Sequence, residues 1–276
     1  MSMLESLNRR VFLTNSLAAC SAIGTGALVS GNLFADRTRL ASQITESDTN
    51  DALTPALKLA SESLAALDKL EDYSATFIKS ELLGRKLNNS RMELKLREEP
   101  FSVYLKFLQP STGREVIYVQ GENKDQLQVH DVGFASLAGT LSLDPKGSLA
   151  MDGNRYPVSQ IGMRNMLIKL VDTWVAERQF SGMTVNLFPN ARIGDLSCKA
   201  VEVSHQTHHA KARFQLTRLF FDADKNWPVR VQAYNFPGKR DKESPLAEDY
   251  MYADVKPNNG FQKIDFSIKN PKYQFN

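Results

Sequence analysis

The chain has 276 residues, of which 42% are apolar and 24% charged, the balance of a globular protein with a real core. Its formal charge of +3 excludes a dedicated nucleic-acid binder, which would concentrate basic residues on one face. Cys20 and Cys198 are the only cysteines, and Cys20 lies in a presumed leader, so the working chain has neither an intramolecular disulfide nor a cysteine zinc site.

The leader comes first. Asn8-Arg9-Arg10-Val11-Phe12-Leu13 resembles the twin-arginine export motif, with Arg9 and Arg10 followed one residue later by Phe12-Leu13. The stretch from Leu17 to Phe34 is only moderately apolar, because Ser21, Gly24, Thr25, Gly26, Ser30, Gly31 and Asn32 interrupt it. A membrane anchor wants about 20 strongly apolar residues, so a signal peptide over residues 1–35, cleaved after Ala35, is expected in place of an uncleaved anchor. Leu17-Ala18-Ala19-Cys20 also fits a lipoprotein signal in which Cys20 is acylated. The apolar run continues well past Cys20, which favours its removal. Partners implied are the twin-arginine translocase during export and a periplasmic or envelope location afterwards.

Residues 36–51 are polar and aperiodic, a flexible lead-in. Thr54 as N-cap with Pro55 in the first turn opens a helix whose Leu57, Ala60, Leu64 and Leu67 share one stripe. From Tyr73 the period falls towards two, the signature of an antiparallel meander. Strands are predicted over 74–83, around Met92, Leu94 and Leu96, over Phe101, Val103, Leu105 and Phe107, and over 115–119 and 127–129. Residues 131–156 read as strand fragments and loop, a candidate cover. After Pro157, Ser159 is expected to cap a second helix carrying Met163, Leu167, Leu170 and Trp174 on one side. Strands return over 183–187, 198–205, 214–221, 229–234, 250–255 and 264–268. Helix, meander, helix, meander is an α+β pattern, a curved antiparallel β-sheet with helices covering its concave face.

Several chemistries find no support in the residues. His205, His208 and His209 fall where a hairpin tip is expected, without a Cys or carboxylate to complete a metal set, so a solvated loop is expected there. Asp222-Ala223-Asp224-Lys225-Asn226 begins like a calcium loop but has Trp227 where Gly is needed and Ala233 where Glu is needed, so it reads as a turn. Glu98/Glu99 and Glu248/Asp249 read as solvated pairs outside the strands. No nucleophile elbow, phosphate loop or dinucleotide fingerprint occurs. Cys198 reads as a small buried apolar residue, and Lys239-Arg240-Asp241-Lys242-Glu243 as a wet loop. No cofactor and no metal are expected.

Asn154-Arg155-Tyr156-Pro157-Val158 leading into Ile161-Gly162-Met163-Arg164-Asn165, the Trp227-Pro228-Val229-Arg230 hairpin, and Asp265-Phe266 with Asn270-Pro271-Lys272-Tyr273-Gln274-Phe275 resemble a bacterial domain-of-unknown-function family numbered 1571. Tyr73-Ser74-Ala75-Thr76-Phe77 after its helix, and Tyr250-Met251-Tyr252-Ala253-Asp254-Val255, are more distantly similar to periplasmic lipoprotein carriers of the LolA type. The first likeness covers residues 52–276, expected as a single LolA-like domain. The second implies an incomplete barrel of about eleven strands, lidded by helices, whose apolar cavity holds acyl chains.

Such a cavity needs a sheet face lined with large apolar side chains. The candidate lining set is Met92, Leu94 and Leu96; Phe101, Val103, Leu105 and Phe107; Val229 and Val231; and Ile264 and Phe266. Methionines near the cover, Met151, Met163 and Met166, suit a repackable pocket as well as an ordinary core. The reading that follows is a non-enzymatic envelope protein binding a lipid or the acyl chains of a lipidated polypeptide, with lipoprotein sorting as one role. Its rival is an envelope interaction or structural module with a filled core, and a hydrolase ranks last.

Overall fold

The computed structural model describes Ser42 and residues 51–275, apart from 134–136, 138 and 240. The leader, with Arg9, Arg10, Phe12 and Leu13, lies outside the described residues, as do Cys20 and nearly all of the lead-in expected over 36–51. No helix among the described residues is long and apolar enough to cross a membrane.

The first helix, α1 (Thr54–Leu67), buries Ala56, Leu57, Ala60, Leu64 and Leu67, the stripe set by their three- and four-residue spacing. Thr54 is its first helical residue and Leu53 stands at the cap without a side-chain bond. The Asp51 carboxylate instead accepts the Leu53 N–H at 2.9 Å, so the expected Thr54 cap is replaced by a turn one residue earlier.

Six strands follow as a meander: β1 (Asp72–Leu83), β2 (Lys86–Arg97), β3 (Ser102–Gln109), β4 (Glu115–Val119), β5 (Leu127–His130) and β6 (Thr140–Leu143). A short helix α2 (Ser148–Met151) and the long helix α3 (Met163–Glu177) carry the chain across to β7 (Met183–Ile193), β8 (Leu196–His205), β9 (Leu216–Asp222), β10 (Pro228–Tyr234) and β11 (Leu246–Pro257). All eleven strands form one sheet in the order β6-β5-β4-β3-β2-β1-β11-β10-β9-β8-β7, and every neighbouring pair is antiparallel. The first and last strands thus meet in the middle, and β6 and β7 are free edges of an unclosed, curved sheet. Because the chain leaves from one edge and re-enters at the other, α2 and α3 must cross the sheet face.

The β7 edge is blunted. Its ladder shifts register between Phe188 and Ala191, around Pro189, which has no N–H to offer a further strand.

Alternation sorts the strand side chains onto two faces. Leu94, Leu96, Val103, Leu105, Val116 and Tyr118 join α1 and α3 in the main core. Tyr104, Ile117 and Val119 point the other way, into a second cluster closed by the C-terminal segment through Phe266, Tyr273 and Phe275. The Tyr104 and Tyr273 rings stack with centroids 4.1 Å apart. The strand expected over 264–268 is therefore absent. Residues Lys263–Phe266 form a 3-10 turn, fixed by a reciprocal bond pair in which the Gln262 N–H donates to the Asp265 carboxylate at 3.0 Å. The count of eleven is instead completed by β6, a short, largely exposed edge.

Helix α3 starts without a capping side chain of its own. Ser159, expected as the cap, sits in a preceding 3-10 turn (Val158–Gln160), and the cap position is Gly162 at φ 118°. The sheet supplies the missing acceptors: the Gly162 N–H donates to the Tyr252 hydroxyl at 2.8 Å and the Met163 N–H to the Tyr73 hydroxyl at 3.0 Å. Burial pushes both phenols up from their ordinary value. One residue on, buried Arg164 pairs with Asp68 at the end of α1 (3.0 Å) and with Glu98 after β2 (3.3 Å). Trp174 donates from its indole to Thr217 on β9 at 2.7 Å. The helix is thereby fixed to both halves of the sheet.

Candidate functional site

A cavity of about 390 Å³ lies between the sheet and the crossing segment, partly open to solvent. Its wall draws on β1 to β6, β10 and β11, so the sheet wraps around it and the helix-bearing face is the concave one. Phe77, Met92, Leu105, Phe107, Val129 and Val231 make the apolar floor, and Tyr156, Ile161, Met166 and Leu170 close it from the helical side. Its volume falls within the roughly 300–1,000 Å³ of small-molecule sites.

Of the lining set expected from sequence, Met92, Leu105, Phe107 and Val231 stand on this wall. Leu94, Leu96, Val103 and Val229 share the same face but are packed in the core away from the cavity, with half-buried Phe101 against them. Ile264 and Phe266 lie elsewhere. Phe266 is buried in the cluster on the opposite face and Ile264 is 47% exposed, because the turn at Lys263–Phe266 lies outside the barrel.

One end of the cavity is charged, which the apolar pattern did not foretell. In β1 the inward positions run Tyr73, Ala75, Phe77, Lys79, Glu81, so the same alternation that supplies the apolar wall turns two ionic groups inward. Lys79 Nζ lies 3.2 Å from Glu81 and also donates to Asn154. Glu81 further accepts the Tyr250 hydroxyl at 2.5 Å and the Arg155 N–H at 3.0 Å. Burial pulls the Lys79 ammonium below its ordinary value against the opposing pull of Glu81.

Glu248 completes this wall. It was expected on a solvated approach to a strand, but β11 begins at Leu246 and carries the Glu248 side chain inward. There it accepts the Tyr156 hydroxyl at 2.8 and 3.0 Å, and Arg155 comes within 3.2 Å. Burial raises the Glu248 carboxyl, while Tyr156, Arg213 and Arg155 oppose the rise. Glu98, also expected on a wet turn, is largely buried against Arg164, and burial raises its carboxyl too. Two more cations, Lys169 and Arg213, line the cavity.

The histidines are not on a wet loop throughout. His205 ends β8, is 3% exposed, and its Nε2 lies 2.8 Å from the Glu177 carboxylate, a partner from α3 remote in sequence. His209 stacks on Phe180 with ring centroids 4.9 Å apart. No group of three or more His, Cys, Asp or Glu is placed to hold a metal among the described residues. At Asp222–Asn226 the Asp222 carboxylate accepts the N–H groups of Asp224 and Lys225, an ordinary Asx turn. Cys198 is buried, and burial raises its thiol.

Among solved structures, the lipoprotein LppX of Mycobacterium tuberculosis is similar at 15% identity and a TM-score of 0.41, over 74% of this chain and 98% of that one. A DUF1329 family protein from Desulfovibrio piger gives 11% identity and a TM-score of 0.39, over 79% and 98% of the two chains. A LolA superfamily protein from Nitrosomonas europaea gives 11% and 0.30, over 74% and 97%. No curated protein matches the sequence. The family model described as protein of unknown function (DUF1571) matches residues 70–275, the whole of the sheet with its crossing helices and the tail behind it, and the chain belongs to that family.

Proposed function

We propose that the protein is a non-enzymatic carrier of the cell envelope that holds the acyl chain of a lipid or lipidated polypeptide in the cavity beneath α3. The observation that carries this reading is the composition of the wall: an apolar floor from Phe77, Met92, Leu105, Phe107 and Val231 that continues into a polar end at Lys79, Glu81 and Glu248. An acyl chain gains about 0.8 kcal/mol per methylene removed from water, and the polar end matches a headgroup. A filled-core interaction module has no use for such a space.

Native mass spectrometry of the protein purified from its host, followed by thermal unfolding of the stripped protein with and without added lipid, tests the proposal. Co-purified lipid and a raised midpoint are expected, since a ligand that binds only the folded state stabilises it. Protein that carries no lipid and gains no stability from any added acyl compound overturns it. Export by the twin-arginine route with cleavage after Ala35 belongs to the same proposal, and the mass of the mature N-terminus shows whether Cys20 is removed or acylated.

A further inference from the structure

Four cations and four carboxylates line the cavity, but they are unevenly paired. Glu81 is held by Lys79, Asp131 by Arg114 at 2.9 Å, and Glu248 by Arg155. The charged side chains that remain on the wall are Asp152, exposed to solvent, and two neighbouring cations, Lys169 on α3 and Arg213 in the segment before β9.

These two cations share one aromatic ring. Lys169 Nζ sits 3.5 Å from the Tyr156 centroid and the Arg213 guanidinium carbon 5.4 Å from the same centroid. Their side-chain hydrogen bonds go to neutral groups: Lys169 donates to the Gln160 side chain at 2.7 Å and Arg213 to the Tyr156 hydroxyl, while the Arg213 backbone N–H donates to the Glu177 carboxylate at 2.6 Å. Neither forms an ion pair with a carboxylate among the described residues. The field of Glu248 reaches both cations, but its oxygens are already taken by Tyr156 and Arg155. Like charges held together without a directly bonded counter-ion repel, and an incoming anion relieves that repulsion. The lowered affinity of Lys169 for its proton, set by burial and then by Arg213, agrees with a missing anion.

Lys169 and Arg213 line the apolar cavity on one side and an outer groove, shared with Asp172, Glu177 and Lys211, on the other, so they stand at its mouth. A chain lying on Phe77, Met92 and Leu105 would bring its polar end to such a threshold.

We infer that Lys169 and Arg213 form an anion-binding subsite at the mouth of the cavity, and that the natural occupant is a single-headed amphiphile whose headgroup is a carboxylate or a phosphate. This rests on the reading of the cavity as an acyl site. Arg213 supplies a planar fork for two oxygens and Lys169 a compact charge, with the Tyr156 face holding both cations in place.

The full-length mature protein, loaded with the uncharged dye Nile red, tests the inference by displacement with dodecanoate, dodecyl phosphate and dodecanol, three ligands with one chain. The anions are expected to displace the dye at concentrations at least about tenfold below dodecanol, the equivalent of about 1.4 kcal/mol. Which anion is stronger distinguishes carboxylate from phosphate. The double variant K169Q/R213Q should lose that preference, its two anion curves moving to the position of its own dodecanol curve. The charge-preserving K169R/R213K should keep it, which separates lost charge from disturbed folding. Equal displacement by all three ligands in the parent protein overturns the subsite and leaves the cavity reading standing. Failure of the protein to take up Nile red, or failure of all three ligands to displace it, removes both.

Discussion

Lys79 and Glu81, two residues apart on β1, both face the cavity, and their charged groups meet at 3.2 Å. A strand places residues i and i+2 on one face, so this pair is a direct product of the two-residue repeat that also lines up Tyr73, Ala75 and Phe77. Removing one member strands the other in a wall with little water. Lys79→Met is expected to lower stability by about 3 kcal/mol, and adding Glu81→Gln should restore most of it, because Gln keeps an acceptor for Tyr250 and the Arg155 N–H. Urea unfolding of the two single variants and the double variant reads the coupling. Strict additivity would remove the pair from the account.

The start of α3 depends on two phenols from neighbouring strands. Tyr73→Phe leaves the buried Met163 N–H without its acceptor, and Tyr252→Phe does the same for Gly162. Each is expected to lower stability by about 1–3 kcal/mol with no loss of apolar area. Amide exchange at Met163 and Gly162 should quicken in the matching variant. Unchanged exchange would mean that the hydroxyls are not the acceptors in solution.

Gly162 itself admits no side chain. Its φ of 118° is outside the range of other residues, and a Cβ there would lie 2.9 Å from the Leu96 Cδ1. Gly162→Ala should lower the unfolding midpoint, by at least about 1 kcal/mol in free energy. A variant with parental stability would show that the turn into α3 is looser than described.

Lys169 titrates low, at about 8, because burial and then Arg213 disfavour its charge, with Glu248 opposing them and the Tyr156 ring and Gln160 as its other neighbours. Its folded value lies below the ordinary 10.5, so the unfolded chain binds more protons between the two. Stability therefore gains a contribution from this residue as pH rises from about 8 towards 10.5, and Lys169→Gln should remove it. The comparison is the difference in urea midpoint between parent and variant at about pH 7 and about pH 10, because Lys79 shifts in the same direction in both proteins. A difference that does not change with pH contradicts the assignment.

The apolar alternation in β2, β3 and β10 was enough to predict a sheet with one buried face, and the stripe from Leu57 to Leu67 enough to predict α1. What the pattern misassigned was chosen by contacts distant in sequence. Ile264, Phe266 and Ile268 alternate as a strand would, yet the Gln262–Asp265 bond pair and packing on Tyr104 make them a turn behind the sheet. Thr140–Leu143, the true sixth strand of the meander, is short and exposed, and its register against β5 is what defines it.

The cavity was half legible. Met92, Leu105, Phe107 and Val231 follow from the alternating apolar positions, but whether such a face is filled or hollow depends on where the helices cross it. The charged end had a signal in β1, where Lys79 and Glu81 occupy the same parity as Phe77. Glu248 lacked one, because the start of β11 at Leu246 is fixed by its pairing with Tyr234 and not by its own composition. Nor does spacing bring Lys169 and Arg213 together over Tyr156.

On the proposed reading, an acyl chain lies along Phe77, Met92 and Leu105, with its polar end at the mouth. A crystal of the mature protein grown with dodecanoate brominated at its terminal carbon tests it, since bromine is located by its anomalous scattering. One bromine peak is expected within the cavity, in contact with those three side chains, and the carboxylate near Lys169 and Arg213. A cavity that stays empty while bromine sits only on the outer surface would contradict it.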